Sequence, residues 1–260
     1  MSESRMSAIR PRWDGSGGLR EVLNMALPLV LSTGSWSLQQ FIGRMFLTWY
    51  SADSIAAAMP AGILSFALMS FFIGTASYVG TFVAQYYGAG KPERIGPSVW
   101  QGIYMAAIGG LVILCMIPFA RPIFDFIGHD TAVRANEVVF FQYLCLGSGF
   151  VIASPAISSF FSGIGRTRIV MWVNLEMVAI NIFLDYVLIF GRLGFPEMGI
   201  RGAGIAAVLA SIYNFIAYLF IIFRPAYSSI YNTIKGWRPD RELFLRLIRF
   251  GVPSGVQFFL

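Results

Sequence analysis

Charge is scarce in this sequence. Asp, Glu, Lys and Arg make up 12% of the 260 residues, against about 25% in an ordinary soluble domain. There is one histidine, His129, and two cysteines, Cys115 and Cys145. A lone histidine and scattered cysteines cannot assemble a usual zinc site, and no Walker-type phosphate loop is present. No acid, base and nucleophile converge, so the chain reads as something other than an enzyme, with no cofactor. His129, beside Asp130 in a short loop, reads as a solvated loop residue rather than a ligand or base. The cysteines lie inside apolar runs and read as buried free thiols, with no disulfide framework.

What is present is apolar length: 57% of the residues are hydrophobic and the mean hydropathy is +0.68. A bilayer core of roughly 30 Å needs about 20 apolar residues in helical form, because lipid offers no partner to an unpaired backbone group. Six runs meet this criterion: Val22 to Thr48, Ile55 to Tyr86, Gly96 to Phe119, Val138 to Phe161, Ile169 to Phe190 and Ala203 to Phe223. The fold class expected is all-α integral membrane, a six-helix transmembrane bundle in contact with the lipid bilayer. Residues 1–21 are polar, Gly-rich and basic; they lack the apolar core and cleavage site of a signal peptide and read as a cytoplasmic N-terminal segment.

The basic residues are not spread evenly. Fourteen of the 19, including Arg20, Lys91, Arg94, Arg166, Arg168, Arg224 and Arg246, flank runs at every second boundary. The other loops hold Arg121, Arg134, Arg192 and Arg201, and Arg44 falls inside the first run. This is the positive-inside pattern, so the N-terminus and the loop 224–246 are expected in the cytoplasm. The same distribution argues against nucleic acid as a partner, despite a net charge of +6.

The organisation expected is a lobe over 22–223, a cytoplasmic linker over 224–246, and the start of a second membrane unit over 247–260. Leu247 to Pro253 echoes Val22 to Pro28 at a period of 225 residues. An even number of spans separates the two, so the copies would enter the membrane from one side, as in transporters built from parallel repeats. The last run is too short to span, and the chain is expected to be a partial product. Pro28, Pro155 and several glycines within the runs suit helices that bend, although ordinary membrane packing uses them too.

A carboxylate within a span costs about 3 kcal/mol on insertion scales, which makes it a functional candidate. Two qualify here, Glu176 and Asp185, both in the fifth run. Asn181 and Asp185 are four residues apart, so one helix face presents an amide oxygen and a carboxylate together to a cation or proton. Burial makes such a carboxyl sensitive to bound cations and nearby charge. The plainer reading, that Asp185 bonds the bundle together, stays open. Glu176 lies about 180° from Asp185 and suits a bridge to Arg166 or Arg168. Gln39, Gln40, Tyr143 and Asn214 are further polar groups placed to line a cavity or to bond helices together.

Val83-Ala-Gln-Tyr-Tyr-Gly-Ala-Gly90, Asn181-Ile-Phe-Leu-Asp185 and Gly199-Ile-Arg-Gly-Ala-Gly-Ile-Ala206 resemble the multidrug and toxic compound extrusion (MATE) family of cation-coupled exporters. The resemblance covers the whole chain as one six-helix lobe of a twelve-helix, two-lobe transporter. It implies an inner-membrane antiporter that exports small organic, cationic substrates, coupled to protons or sodium. It also implies a missing C-terminal lobe, and it matches Asn181 and Asp185 to the family's N-lobe cation site. A third member departs from the pattern: anchored on Ser51 to Ala57, the family's first-helix aspartate falls at Gly43 in Phe41-Ile-Gly-Arg44. Gly43 and Asp185 each lie five residues before the end of their span, so they should sit at similar depth. Arg44 next door offers a competing positive charge, and coupling is expected to be weakened or altered. Two other readings stand beside export: a lone lobe acting in assembly or interaction, and a lipid-linked sugar flippase, which would need a more basic cavity than these spans supply.

Overall fold

A computed structural model describes residues 19–259; the basic residues Arg5, Arg10 and Arg12 lie outside the described residues. Every regular element of the described chain is helical, with no strand. Its helices are α1 (Leu19–Tyr50), α2 (Ala52–Ser77), α3 (Val79–Gly88), α4 (Ile95–Leu114), α5 (Ala120–Ile127), α6 (Thr131–Gly163), α7 (Thr167–Ile189), α8 (Ile200–Ile222), α9 (Pro225–Tyr231) and α10 (Arg241–Phe259).

Five helical stretches are long and apolar enough to cross a membrane: Ala52–Gly88, Pro92–Ile127, Thr131–Gly163, Thr167–Ile189 and Ile200–Ile222. The first of the six expected runs is not among them. Its helix α1 has 32 residues, ample for a ~30 Å core at 1.5 Å per residue, but Ser32, Thr33, Ser35, Ser37, Gln39, Gln40 and Arg44 dilute its apolarity. Part of that polarity is satisfied within the helix. Thr33 Oγ1 donates to Leu29 O at 3.0 Å and Ser35 Oγ to Leu31 O at 2.7 Å.

α6 is the hub, packed against α2, α4 and α8. Ile152, Ile157, Phe160 and Phe161 on α6 are fully buried, and Phe161 stacks on Tyr218 of α8. α1 and α7 form a second layer along the side of this core. The outward faces keep large apolar groups such as Leu111, Trp172 and Phe220 exposed, as helices solvated by lipid require.

α10 does not stand apart. Leu243, Leu247, Gly251 and Gly255 recur at four-residue steps and are its buried face, seated on α2. The approach is close enough to demand glycine: a Cβ on Gly74 of α2 would lie 2.8 Å from Gly255 Cα. The linker is likewise packed rather than free. Trp100 Nε1 of α4 donates to Thr233 O at 2.7 Å, and Thr233 Oγ1 donates to Ile222 O at 2.8 Å.

Candidate cation site

The polar residues of α7 find their partners on α1 in a regular series. Asn174 Nδ2 donates to Ser32 Oγ at 2.6 Å, and Gln39 Nε2 donates to Asn181 Oδ1 at 2.8 Å. A Cβ built on Gly43 would lie 3.5 Å from Asp185 Oδ2. Each pair is 142 residues apart, so the two helices run side by side in the same direction and keep register over three levels. Positions 32, 39 and 43 follow the seven-plus-four spacing that keeps side chains on one helix face.

The last two levels make the candidate site. Asn181 and Asp185 are 3% and 5% exposed, on the shared face that their spacing predicts. Asn181 Oδ1 keeps a lone pair after accepting from Gln39. Gln39 Oε1 is buried without a hydrogen-bond partner. The local donor set is therefore all oxygen, a carboxylate with neutral amide oxygens, which suits a proton or a hard cation rather than a thiophilic metal. Among the described residues no group of three His, Cys, Asp or Glu side chains is placed to hold a metal ion.

Of the two glutamines on α1, it is Gln39 that joins the site; Gln40, one step around the helix, is exposed. Gln39 stands four residues before Gly43 as Asn181 stands four before Asp185, and that parallel spacing was the signal for it in the sequence. Arg44 is exposed and forms no ion pair among the described residues. Asn214 is buried but belongs to the upper level: its Nδ2 donates to Asn174 Oδ1 at 3.2 Å, alongside the Tyr218 hydroxyl at 3.0 Å. Tyr143 is half-buried at the α6–α8 contact, against Gly204. Glu176 faces away from Asp185; it is exposed and accepts from the Tyr213 hydroxyl at 2.8 Å rather than bridging to Arg166 or Arg168.

Three other expectations change. Glu137, one residue ahead of the expected fourth span, is a further carboxylate inside a membrane helix and is fully buried, because α6 begins at Thr131. His129 is not merely solvated: its Nδ1 lies 2.7 Å from Glu137 Oε1. Cys145 is buried, whereas Cys115 is exposed at the end of α4.

A protein-family model described as MatE matches residues 28–187. The chain is 28% identical over 246 residues to a probable multidrug resistance protein NorM of Bradyrhizobium diazoefficiens, covering 92% of this chain and 52% of that one. It is 30% identical over 209 residues to a protein of the same name from Rhizobium meliloti, covering 79% and 44%. Among solved structures it is similar to an outward-facing multidrug resistance MATE family transporter of the MOP superfamily, with a TM-score of 0.82 and 18% identity over 92% of this chain and 52% of that one. A eukaryotic MATE transporter matches with a TM-score of 0.80 and 20% identity, over 92% of this chain and 54% of that one. At these identities the structural likeness speaks for the fold. The chain spans about half the length of the curated relatives it matches.

Proposed function

The chain belongs to the MatE family, and from that premise we propose that it forms one lobe of a cation-coupled antiporter that exports small organic, cationic compounds by alternating access. The observation that carries this reading is the buried Asp185–Asn181 pair at the α1–α7 seam, with Gly43 facing the carboxylate. Asp185 is the group that takes up the coupling ion, proton or sodium, and Asn181, held by Gln39, is its supporting ligand. Ion binding changes what α1 and α7 present to each other, and conformational change follows only from such a difference between states. The lobe lies in the cell inner membrane with its N-terminus in the cytoplasm, an orientation that the alternation of basic loops supports. The substrate cavity forms between this lobe and a second one.

Membrane vesicles containing the two-lobe protein test the reading. Efflux of a fluorescent organic cation should follow a pH or sodium gradient, and Asp185→Asn should remove the gradient dependence while leaving the protein in the membrane. Efflux in the Asp185→Asn variant that still follows the gradient overturns the assignment. The other reading, a lone lobe acting in assembly or interaction, predicts no transport by the chain itself. Ion-driven efflux by the 260-residue chain alone would contradict both the lone-lobe reading and the need for a second lobe.

A further inference from the structure

The linker between α8 and α10 carries exposed groups of two opposite kinds. Ile230, Ile234 and Trp237 are each at least half exposed, at 54%, 50% and 56%. Interleaved with them, Arg224, Lys235 and Arg238 are exposed, and none forms an ion pair among the described residues. The carboxylates that follow do not neutralise them: Asp240 Oδ1 accepts from Leu243 N at 3.1 Å, and Glu242 sits with Arg246 and Arg249 on α10. Water suits the cations and disfavours the indole and the isoleucines. A bilayer interface suits both.

The position of this segment on α4 is set by its bonds. Thr233 O accepts from Trp100 Nε1, and Trp237 O accepts from the Tyr104 hydroxyl. The Trp100 and Tyr104 side chains reach it from further along α4, while Gly236 meets Pro97 and a Cβ on Gly96 would meet Asn232 O, so 231–237 packs at the start of α4. That end of α4 follows the basic Lys91 and Arg94, and a span end flanked by basic residues sits at the membrane interface. Its seat is tight: a Cβ on Gly236 would lie 2.8 Å from the Pro97 ring. At the other end, the Arg224 guanidinium lies 5.2 Å from the centroid of the exposed Phe220 ring, a cation held at the edge of an apolar span.

We propose that residues 224–238 form an interfacial anchor for anionic phospholipid: Arg224, Lys235 and Arg238 bind headgroup phosphates while Trp237, with Ile230 and Ile234, enters the adjoining apolar layer. The inference rests on the reading of the chain as membrane-spanning and is independent of ion coupling. It makes the linker a fixed point on the bilayer beside which α10 enters the membrane.

The test uses the chain in nanodiscs and reads lipid contact rather than transport. The emission difference between wild type and Trp237→Phe isolates Trp237. Brominated phosphatidylglycerol diluted into phosphatidylcholine should quench that signal about five-fold more effectively than brominated phosphatidylcholine at the same fraction, the preference that one interfacial cation confers. Lys235→Gln/Arg238→Gln should bring the two lipids towards parity. Equal quenching by both lipids in the wild type overturns anionic recognition. Quenching by aqueous iodide with none by either bromolipid overturns the anchor itself.

Discussion

Asp185 Oδ2 stands 3.5 Å from the point where a side chain would begin at Gly43. The distance is ordinary van der Waals contact, so the absence of a side chain at 43 is not forced by crowding. An aspartate there would set a second carboxylate directly against Asp185. Two carboxylates so close cannot both stay ionised without sharing a proton or a cation. Gly43→Asp is therefore expected to strengthen proton- or sodium-dependent transport, with the ion concentration for half-maximal efflux falling about five-fold or more. Vesicle efflux over a range of sodium and pH measures it, and an unchanged ion dependence would sink the idea.

Gln39 holds Asn181 through one hydrogen bond of 2.8 Å. Gln39→Leu removes the donor and leaves the 3%-exposed Asn181 amide oxygen without it. The expected cost is about 1–3 kcal/mol, read as a lower melting temperature in detergent. Ion-dependent efflux should fall in step, whereas Gln40→Leu on the exposed neighbouring position should leave both unchanged.

Glu137 has no exposed surface, and its Oε2 has no hydrogen-bond partner, so His129 supplies the bond that the structure gives its side chain. His129→Ala is expected to destabilise the chain by about 1–3 kcal/mol, because it strands a buried polar group. His129→Ala/Glu137→Leu should be less destabilised than His129→Ala alone. A double-mutant comparison of melting temperatures checks this, and additive losses would count against the pair acting as a unit.

Gly74 is where α10 meets α2 most closely, with Gly255 Cα 2.8 Å from its would-be Cβ. Gly74→Leu should push the helices apart at a cost of about 1–3 kcal/mol. Gly62→Leu on the same helix, where nothing lies within 4 Å, is the control and should melt as the wild type does.

Much of the lobe was legible in the sequence because its signals are local. Runs of apolar residues gave five of the membrane-length stretches, since lipid leaves a long apolar segment no option but a helix. The shared face of Asn181 and Asp185 followed from four-residue spacing alone. α1 was less legible: its hydroxyls and glutamines are too polar for a lipid-facing helix, and they make sense only once Ser32 and Gln39 are seen bonded to α7. Glu137 was passed over because hydropathy placed the span start at Val138, seven residues after α6 begins at Thr131, whereas burial depends on what α6 packs against.

The sequence by itself determined that these segments are membrane helices, and which residues of a given helix share a side. Backbone hydrogen bonding and the helical period act over a few residues, and lipid enforces them. Only the tertiary structure decided that Gln39 rather than Gln40 holds Asn181, that Gly43 faces Asp185, and that His129 reaches Glu137. It also seated the linker along α4. Each of these depends on which faces of separate helices meet, and that is fixed by packing of small residues and pairing of buried polar groups across the whole lobe, at separations that no local period records.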